Sequence, residues 1–247
     1  MDLPNISILT PTYNRQRFIP LMMANIQSFE YPKEKLEWVI YDDHPEYPLF
    51  ESESQVSQIK ELLKPIKLNY IYDPKRHLSI GEKRNKLVKS AKYKICAFMD
   101  DDDVYFPSYL KHSIETMKEK KASLVSSNAM IFVYPEHNFK ICHIQCESVR
   151  QGHEACMVFT KKHFNSMGGF PKSSQGEGAG MIDFNEKNVA MTDIRQVMMC
   201  VAHNKLDNCN SNTIPKDMFL EKDTGMNLNP ENPVYQIIQT IYRGFKE

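Results

Sequence analysis

The chain of 247 residues is long enough to bury a substantial core, as one large α/β domain or two small ones. Hydrophobic residues make up 41% and charged residues 25%, and 31 Lys and Arg balance 31 Asp and Glu. This neutral balance gives no sign of a nucleic-acid or anionic-membrane partner, and no apolar run approaches the length of a membrane span. The N-terminus lacks a basic start followed by an apolar stretch, so we expect a cytoplasmic location.

Six cysteines are few for this length, and reduced thiols are the expectation. A zinc site is the alternative, with Cys142, Cys146, His153 and Cys156 as its ligands. Their spacing is loose and includes no paired C-x-x-C, which favours reduced thiols.

The first half of the chain alternates strands with helices. Short apolar runs predict strands at residues 5–10, 37–41, 67–72 and 95–99. Apolar residues at helical spacing predict helices at 18–29, 52–63, 79–91 and 107–117. This β-α order predicts an α/β fold with a mostly parallel central sheet and helices on both faces.

The pattern changes after Lys121. Strands with short connections are predicted at 123–128, 131–134, 140–146 and 155–160, which favours a smaller antiparallel element. Residues 181–201 resemble a helix followed by a strand, 204–232 a long loop that is mobile or a lid, and Pro233 starts a terminal helix. We predict one domain over 1–247, with one half at 1–121, a second half at 122–203 and a loop or lid with the C-terminal helix at 204–247.

Four consecutive carboxylates, Asp100–Asp103, follow the apolar run Ile95–Met99. Because adjacent negative charges repel, gathering them at a strand end favours a bound divalent cation, Mn²⁺ or Mg²⁺. Alternation along an extended chain would place Asp100 and Asp102 on one side and Asp101 and Asp103 on the other. A solvated acidic turn is the alternative interpretation.

Other predicted strand ends also carry polar groups. They are Thr10, Tyr13 and Arg15 after the first strand and Asp42 and Asp43 after the second. Lys83 and Arg84 lie on the first turns of a helix, where phosphate charge is well placed. Since the carboxyl ends of parallel strands share one edge, this convergence favours a ligand site over a solvated turn.

Four segments together resemble the family 2 glycosyltransferases with the GT-A fold: Thr10–Arg15, Val39–Asp43, Gly81–Asn85 and Phe98–Asp103. Gly168–Phe170 resembles their later GGF turn. The resemblance implies a Rossmann-like enzyme that moves a sugar from a nucleoside-diphosphate sugar, typically a UDP-sugar, to a glycan or other hydroxyl acceptor with inversion. The Asn- and Lys-rich composition is similar to that of versions in large DNA viruses, for which the location would be the host cytoplasm.

The resemblance also implies that 1–121 is the nucleotide-binding half and 122–203 the acceptor-side half, and it implies roles for single residues. The nucleotide-sugar-binding positions are Thr10, Pro11, Tyr13, Arg15, Asp43, Arg84, Asn85, Asp100 and Asp101. Counting back from Pro107 puts the metal ligand of the DxD-type motif at Asp102, with Asp100 and His203 as further possible metal contacts. The catalytic base matches Glu177, with Asp183 and Asp193 as fallbacks. Family members often have paired acids here, but glycines flank Glu177, so the second acid is missing.

Two other functions compete with the transferase. A sugar nucleotidyltransferase uses similar carboxylates, but it needs a glycine-rich, lysine-containing loop after the first strand, which Pro11–Arg15 lacks. A non-catalytic nucleotide-sugar-binding module would keep the pocket and lack the base, and the unpaired Glu177 keeps this alternative open.

Overall fold

The computed structural model describes residues 2–202 and 223–243, and its strands form two sheets. The strands are Ile6–Thr12 (β1), Leu36–Asp42 (β2), Lys67–Tyr72 (β3), Ile95–Phe98 (β4), Val104–Tyr105 (β5), Leu124–Ser126 (β6), Ala129–Tyr134 (β7), Lys140–Gln145 (β8), Val158–Thr160 (β9), Val189–Met191 (β10), Met198–Val201 (β11) and Asp223–Asn227 (β12). The α-helices of the described residues are Ile19–Ser28 (α1), Glu53–Leu63 (α2), Ile80–Ser90 (α3), Tyr109–Glu119 (α4), Lys161–Met167 (α5) and Pro233–Arg243 (α6).

The larger sheet has the strand order β10-β6-β9-β4-β1-β2-β3. Strand β1 runs parallel to β2 and β4, β2 runs parallel to β3, and β10 runs parallel to β6. Only β9 reverses direction, pairing antiparallel with β4 and β6 among the described strands. The mostly parallel α/β sheet predicted from the β-α order is therefore confirmed.

Helices cover both faces of this sheet, as expected from strands that are apolar on both sides. Along β1, Ile6 and Ile8 are buried in one cluster with residues of α1 and α4. Leu9 points the other way, into a second cluster with residues of α3 and α5. Period-two alternation along the strand thus gives each face of the sheet its own core.

The smaller sheet has the order β12-β8-β7-β11-β5. Of the four strands predicted after Lys121, β7 and β8 lie in this sheet, whereas β6 and β9 join the larger one. Strands β7 and β8 form a hairpin, and β12 pairs antiparallel with β8. On the other side, β11 pairs parallel with β7, and β5 pairs antiparallel with β11. Strand β12 lies inside the segment 204–232, for which the sequence predicts an irregular loop. Backbone pairing with β8, with a bulge between Asp223 and Met226, orders these residues despite their weak periodicity.

The structure corrects the helix predicted at the start of 181–201. Short 3-10 turns at Glu177–Met181, Glu186–Asn188 and Ile194–Gln196 stand there, with β10 between the last two. The side chain of Asp193 accepts a bond from the Arg195 backbone N–H, and such local capping competes with a continuous helix. The strand predicted at the end of the segment is present as β11.

Among the described residues, no helix combines the length and apolarity that a bilayer crossing requires. The remainder of the predicted loop or lid, residues 203–222, lies outside the described residues.

Candidate active site

A cavity of about 870 Å³ lies where β1 and β4 end. In the order β3-β2-β1-β4, strands β2 and β3 are added on one side of β1 and β4 is added on its other side. Open α/β sheets bind ligands at such a switch in strand order. The acidic run Asp100–Asp103 and residues Thr12 and Tyr13 line the cavity, together with the first turns of α3 and residues of the smaller sheet. Two of the strand ends that the sequence marks as polar, those of β1 and β4, therefore meet at one site, whereas Asp42 and Asp43 at the end of β2 do not line the cavity.

Asp101 is buried at the base of this cavity. Thr12 Oγ1 donates a hydrogen bond of 2.6 Å to its Oδ2, and Arg15 Nε lies 3.6 Å from its Oδ1. Burial raises the pKa of Asp101 to about 7; Arg15 opposes this shift, whereas the neighbouring charge of Asp102 adds to it. A cation near this carboxyl would favour its ionised form.

Arg84 joins two acidic stretches that are far apart in the sequence. Its Nη1 and Nη2 donate to the two carboxylate oxygens of Asp100, both at 3.0 Å, and its Nε donates to Glu177 Oε1 at 3.2 Å. The guanidinium also lies over the ring of Phe98, 4.3 Å from its centroid. Burial works to lower the pKa of Arg84, but the charges of Asp100 and Glu177 outweigh it, so the pKa lies above its ordinary value. Arg84 is thus a buried, permanently charged bridge.

The aspartates do not alternate as an extended strand would place them. Strand β4 ends at Phe98 and residues 101–102 form a turn. As a result, Asp101 and Asp102 share Arg15, whose Nη2 lies 3.5 Å from Asp102 Oδ2, while Asp100 binds Arg84. Asp103 instead accepts a hydrogen bond from the Val201 backbone N–H at 3.1 Å, which ties the turn to β11.

Tyr13 and Lys83 form the wall of the cavity towards β2. Lys83 Nζ lies 2.5 Å from Asp43 Oδ1, donates to the Thr12 carbonyl at 3.1 Å and sits 4.9 Å from the centroid of the Tyr13 ring. Asp43 also accepts from the Leu78 backbone N–H at 2.8 Å. The buried Asp43–Lys83 pair therefore fixes the loop before α3 next to the aromatic ring.

Three residues predicted to bind the nucleotide do not line the cavity and make contacts within the fold: Thr10, Asp43 and Asn85. Thr10 is fully buried, donates to the Met99 carbonyl at 2.6 Å and accepts from Trp38 Nε1 at 2.9 Å. The side chain of Asn85 bonds both the backbone N–H and the carbonyl of Phe170, each at 2.8 Å, so it holds the GGF turn. Pro11, by contrast, lines the cavity.

Of the three candidate bases, only Glu177 lines the cavity. Asp183 pairs with Arg150 Nε at 2.8 Å, and Asp193 pairs with Arg195 Nη2 at 2.8 Å near the surface. Glu177 is 2% exposed, and its Oε2 has no hydrogen-bond partner among the described residues. Burial raises the pKa of Glu177, Arg84 opposes that shift and the charge of Glu154 adds to it.

The described residues contain no group of three or more His, Cys, Asp or Glu side chains arranged to hold a metal ion. This applies to the zinc alternative as well as to the acidic run. The carboxylate of Asp102 is partly exposed to the cavity, whereas Asp100 is engaged by Arg84. His203, the further metal contact predicted from the sequence, lies outside the described residues.

The family model described as glycosyl transferase family 2 matches residues 7–170. The chain belongs to this family. The match contains the four N-terminal segments and the GGF turn on which the resemblance in the sequence was based. No curated protein sequence matches the chain.

Solved structures share the GT-A fold of this family 2 chain. Staphylococcus aureus TarS 1-349 in complex with UDP has a TM-score of 0.63 at 16% identity, over 80% of this chain and 60% of that one. The same TarS fragment with UDP-GlcNAc has a TM-score of 0.59 at 15% identity, over 96% and 65%. The mannosyltransferase PcManGT from Pyrobaculum calidifontis, in complex with GDP-Man and Mn²⁺, has a TM-score of 0.63 at 17% identity, over 98% and 71%. The chain thus spans less than two-thirds of the TarS fragment.

The cavity of the family 2 chain is also lined by Thr12, Lys83 and Glu154. The sequence marks Lys83 as a cation well placed for phosphate charge, but it assigns no role to Thr12 or Glu154. Thr12 has a sequence signal, because it lies two residues beyond Thr10 on the same side of β1 and closer to the strand end. Glu154 has none, since it sits in a short turn between strands and only the tertiary structure brings it to Glu177.

Gly81 lets the segment 171–173 approach α3 closely. A Cβ at this position would overlap the carbonyl oxygen of Pro171, and the Gly81 N–H donates to the Ser173 carbonyl at 2.8 Å. Replacing a helical glycine with alanine ordinarily stabilises a protein by about 0.4–1 kcal/mol. Here we expect Gly81→Ala to lower the free energy of unfolding by about 1–3 kcal/mol, because the clash is with backbone.

Urea denaturation would measure this change, with Lys89→Ala on the exposed end of α3 as the control, expected to stay within about 0.5 kcal/mol. A stabilised Gly81→Ala protein would show that the segment does not pack against α3 in this way.

Proposed function

We propose that the chain is a metal-dependent, inverting glycosyltransferase that moves a sugar from a nucleoside-diphosphate sugar, most simply a UDP-sugar, to a hydroxyl of a glycan or another acceptor. The observation that carries this proposal is the cavity itself, which unites the acidic run, a buried arginine, an aromatic ring and the carboxylate of Glu177. Structures of the same fold hold UDP, UDP-GlcNAc or GDP-Man, which supports a nucleotide-sugar donor.

The residues present fit a divalent ion that the donor helps to bind. A Mg²⁺-type ion is commonly held by one or two carboxylates together with substrate phosphates and water, so a three-residue protein cage is not required. Asp102 would hold it, and the raised pKa of Asp101 fits a place where a cation offsets crowded negative charge. When bound, Mn²⁺ or Mg²⁺ supplies Lewis-acid stabilisation of the departing diphosphate.

The protein's own residues would bind and orient the donor. The ring of Tyr13 offers a stacking surface for the nucleobase, with His44 and His77 at centroid distances of 4.4 and 5.1 Å. The Asp43–Lys83 pair fixes the wall on this side, and Arg15 holds Asp101 and Asp102 in place. Arg84 offsets the negative charge of Asp100 and so reduces the repulsion that this carboxylate would exert on the phosphates of the donor.

Glu177 would take the proton of the acceptor hydroxyl as that oxygen attacks the anomeric carbon. Its Oε1 is held by Arg84, while Oε2 lacks a hydrogen bond within the described part of the chain. A base on one side of the sugar and a departing diphosphate on the other produce inversion in a single displacement.

If Glu177 is the catalytic base, kcat should depend on pH. Because burial raises the pKa of Glu177, kcat should fall on acidification at a pH above the ordinary range of a glutamate, which titrates near about 4.3. The Glu177→Gln variant keeps an oxygen for Arg84, and it should lose about 10²–10⁴-fold in kcat together with this acid limb. The measurement is kcat against pH at saturating donor. An unchanged profile in Glu177→Gln would show that another group is the base.

The first test of the proposal is a panel of nucleoside-diphosphate sugars incubated with the protein and Mn²⁺, followed by detection of the released nucleoside diphosphate. Release that needs the divalent ion supports the transferase. Release of pyrophosphate from a nucleoside triphosphate would support a sugar nucleotidyltransferase instead. Nucleotide binding without any turnover would support a non-catalytic module. The expected cytoplasmic location stays a prediction of the sequence.

A further inference from the structure

The space next to Glu177 contains a second carboxylate that the sequence does not place there. A Cβ on Gly178 would lie 2.9 Å from Glu154 Oε2 and 3.0 Å from Glu154 Cβ, so the Glu154 side chain occupies the volume that a side chain at position 178 would need. Glu154 belongs to the short turn Glu154–Cys156 before β9 and lines the same cavity as Glu177. An acid missing from the sequence beside Glu177 is therefore present in space.

This inference rests on the proposed function. We propose that Glu154 is a second carboxylate next to the catalytic base, a positioning residue that acts through Glu177. In the step, the acceptor O–H bond breaks and its proton passes to the Glu177 carboxylate. The acceptor oxygen forms a bond to the anomeric carbon, and the bond from that carbon to the diphosphate oxygen breaks with its electron pair leaving on the diphosphate. The negative charge of Glu154 beside Glu177 favours proton uptake by the Glu177 carboxylate.

The electrostatics of Glu177 explain why a second acid is needed. The bond from Arg84 to Oε1 favours the ionised form and so weakens Glu177 as a base. Burial and the negative charge of Glu154 both work in the opposite direction. Two close carboxylates hold one proton more tightly than either would alone. The other charged or titratable side chains that line this cavity are Tyr13, Arg15, His77, Lys83, Arg84, Asp100, Asp101, Asp102, Asp103, Cys146, Arg150, His153 and Cys200.

The first test is Glu154→Gln, which keeps the size of the side chain and removes its charge. We expect kcat to fall by about tenfold or more with the donor KM unchanged. Since a like charge has been removed, the pKa of Glu177 falls, and the acid limb of kcat should move to lower pH by about one unit. A side chain with a merely structural role would not move this limb.

The second test relocates the carboxylate. Glu154→Gly should lower kcat as Glu154→Gln does, and the double variant Glu154→Gly with Gly178→Asp should restore it, because the new carboxylate enters the volume that Glu154 has left. The backbone of Gly178 is not in the left-handed region, and the close contact that remains for a Cβ there, 3.1 Å to Met157 Cε, is with the end of a flexible side chain. Full activity in Glu154→Gln, or no recovery in a folded double variant, would overturn the proposal.

A readout independent of turnover separates this inference from the proposed function. In ¹³C-glutamate-labelled protein, the Glu177 carboxyl signal can be identified by its absence in Glu177→Gln and titrated in the native protein and in Glu154→Gln. A titration midpoint that moves to lower pH supports the pairing even if no sugar donor is turned over. An unmoved midpoint would refute the pairing even if the transferase activity is found.

Discussion

The Asp102→Ala protein should lose metal-stimulated donor turnover by about 10²–10³-fold while remaining folded. Asp102 lies partly exposed in the cavity with Arg15 Nη2 at 3.5 Å from its Oδ2, whereas both carboxylate oxygens of Asp100 are bound by Arg84 and Asp103 accepts from the Val201 backbone N–H. Removing one of several crowded negative charges also relieves repulsion, so we expect the melting temperature to change little. The measurement is nucleoside-diphosphate release across a titration of Mn²⁺.

The matched control for this prediction is Asp193→Ala. Asp193 is also an aspartate with an arginine partner, but it lies outside the cavity, and its loss should leave turnover within about twofold. If Asp102→Ala turned over the donor at the native rate with the native Mn²⁺ dependence, Asp102 would not be the metal ligand.

The Arg84→Met protein should lose about 3–5 kcal/mol of its free energy of unfolding. Arg84 is 2% exposed and bridges Asp100 to Glu177, so its removal leaves two carboxylates without their counter-charge. Methionine fills a similar volume, which separates the loss of charge from the opening of a cavity. Arg84→Lys should recover part of the loss, because it keeps the charge but not the bidentate geometry.

Guanidinium denaturation of Arg84→Met against Arg195→Met would measure this effect. The Arg195 side chain is 76% exposed in its pair with Asp193, so that control should unfold close to the native midpoint. The deficit of Arg84→Met should shrink as the pH is lowered, because protonated carboxyls need no counter-charge. Equal losses in the two variants would mean that the buried bridge does not stabilise the fold.

The local pattern of the chain was sufficient for much of the architecture. Alternating short apolar runs and amphipathic segments predicted the parallel sheet, because backbone hydrogen bonding and side-chain periodicity are local properties. The same reasoning placed the acidic run at the end of β4 and a polar turn after β1, and so predicted the edge of the sheet where the cavity lies. It failed over 181–201, where side-chain caps and three-residue turns replace a helix.

The sequence by itself determined the fold class, the family and the residue types at the site. Only the tertiary structure decided which of those residues face the cavity: Thr10 turns inwards to Trp38, whereas Thr12 reaches Asp101. Only the tertiary structure placed Glu154 beside Glu177. The reason is physical, since hydrogen bonds and electrostatic interactions depend on distances of a few ångströms between side chains, and residues distant in the chain reach those distances only through packing.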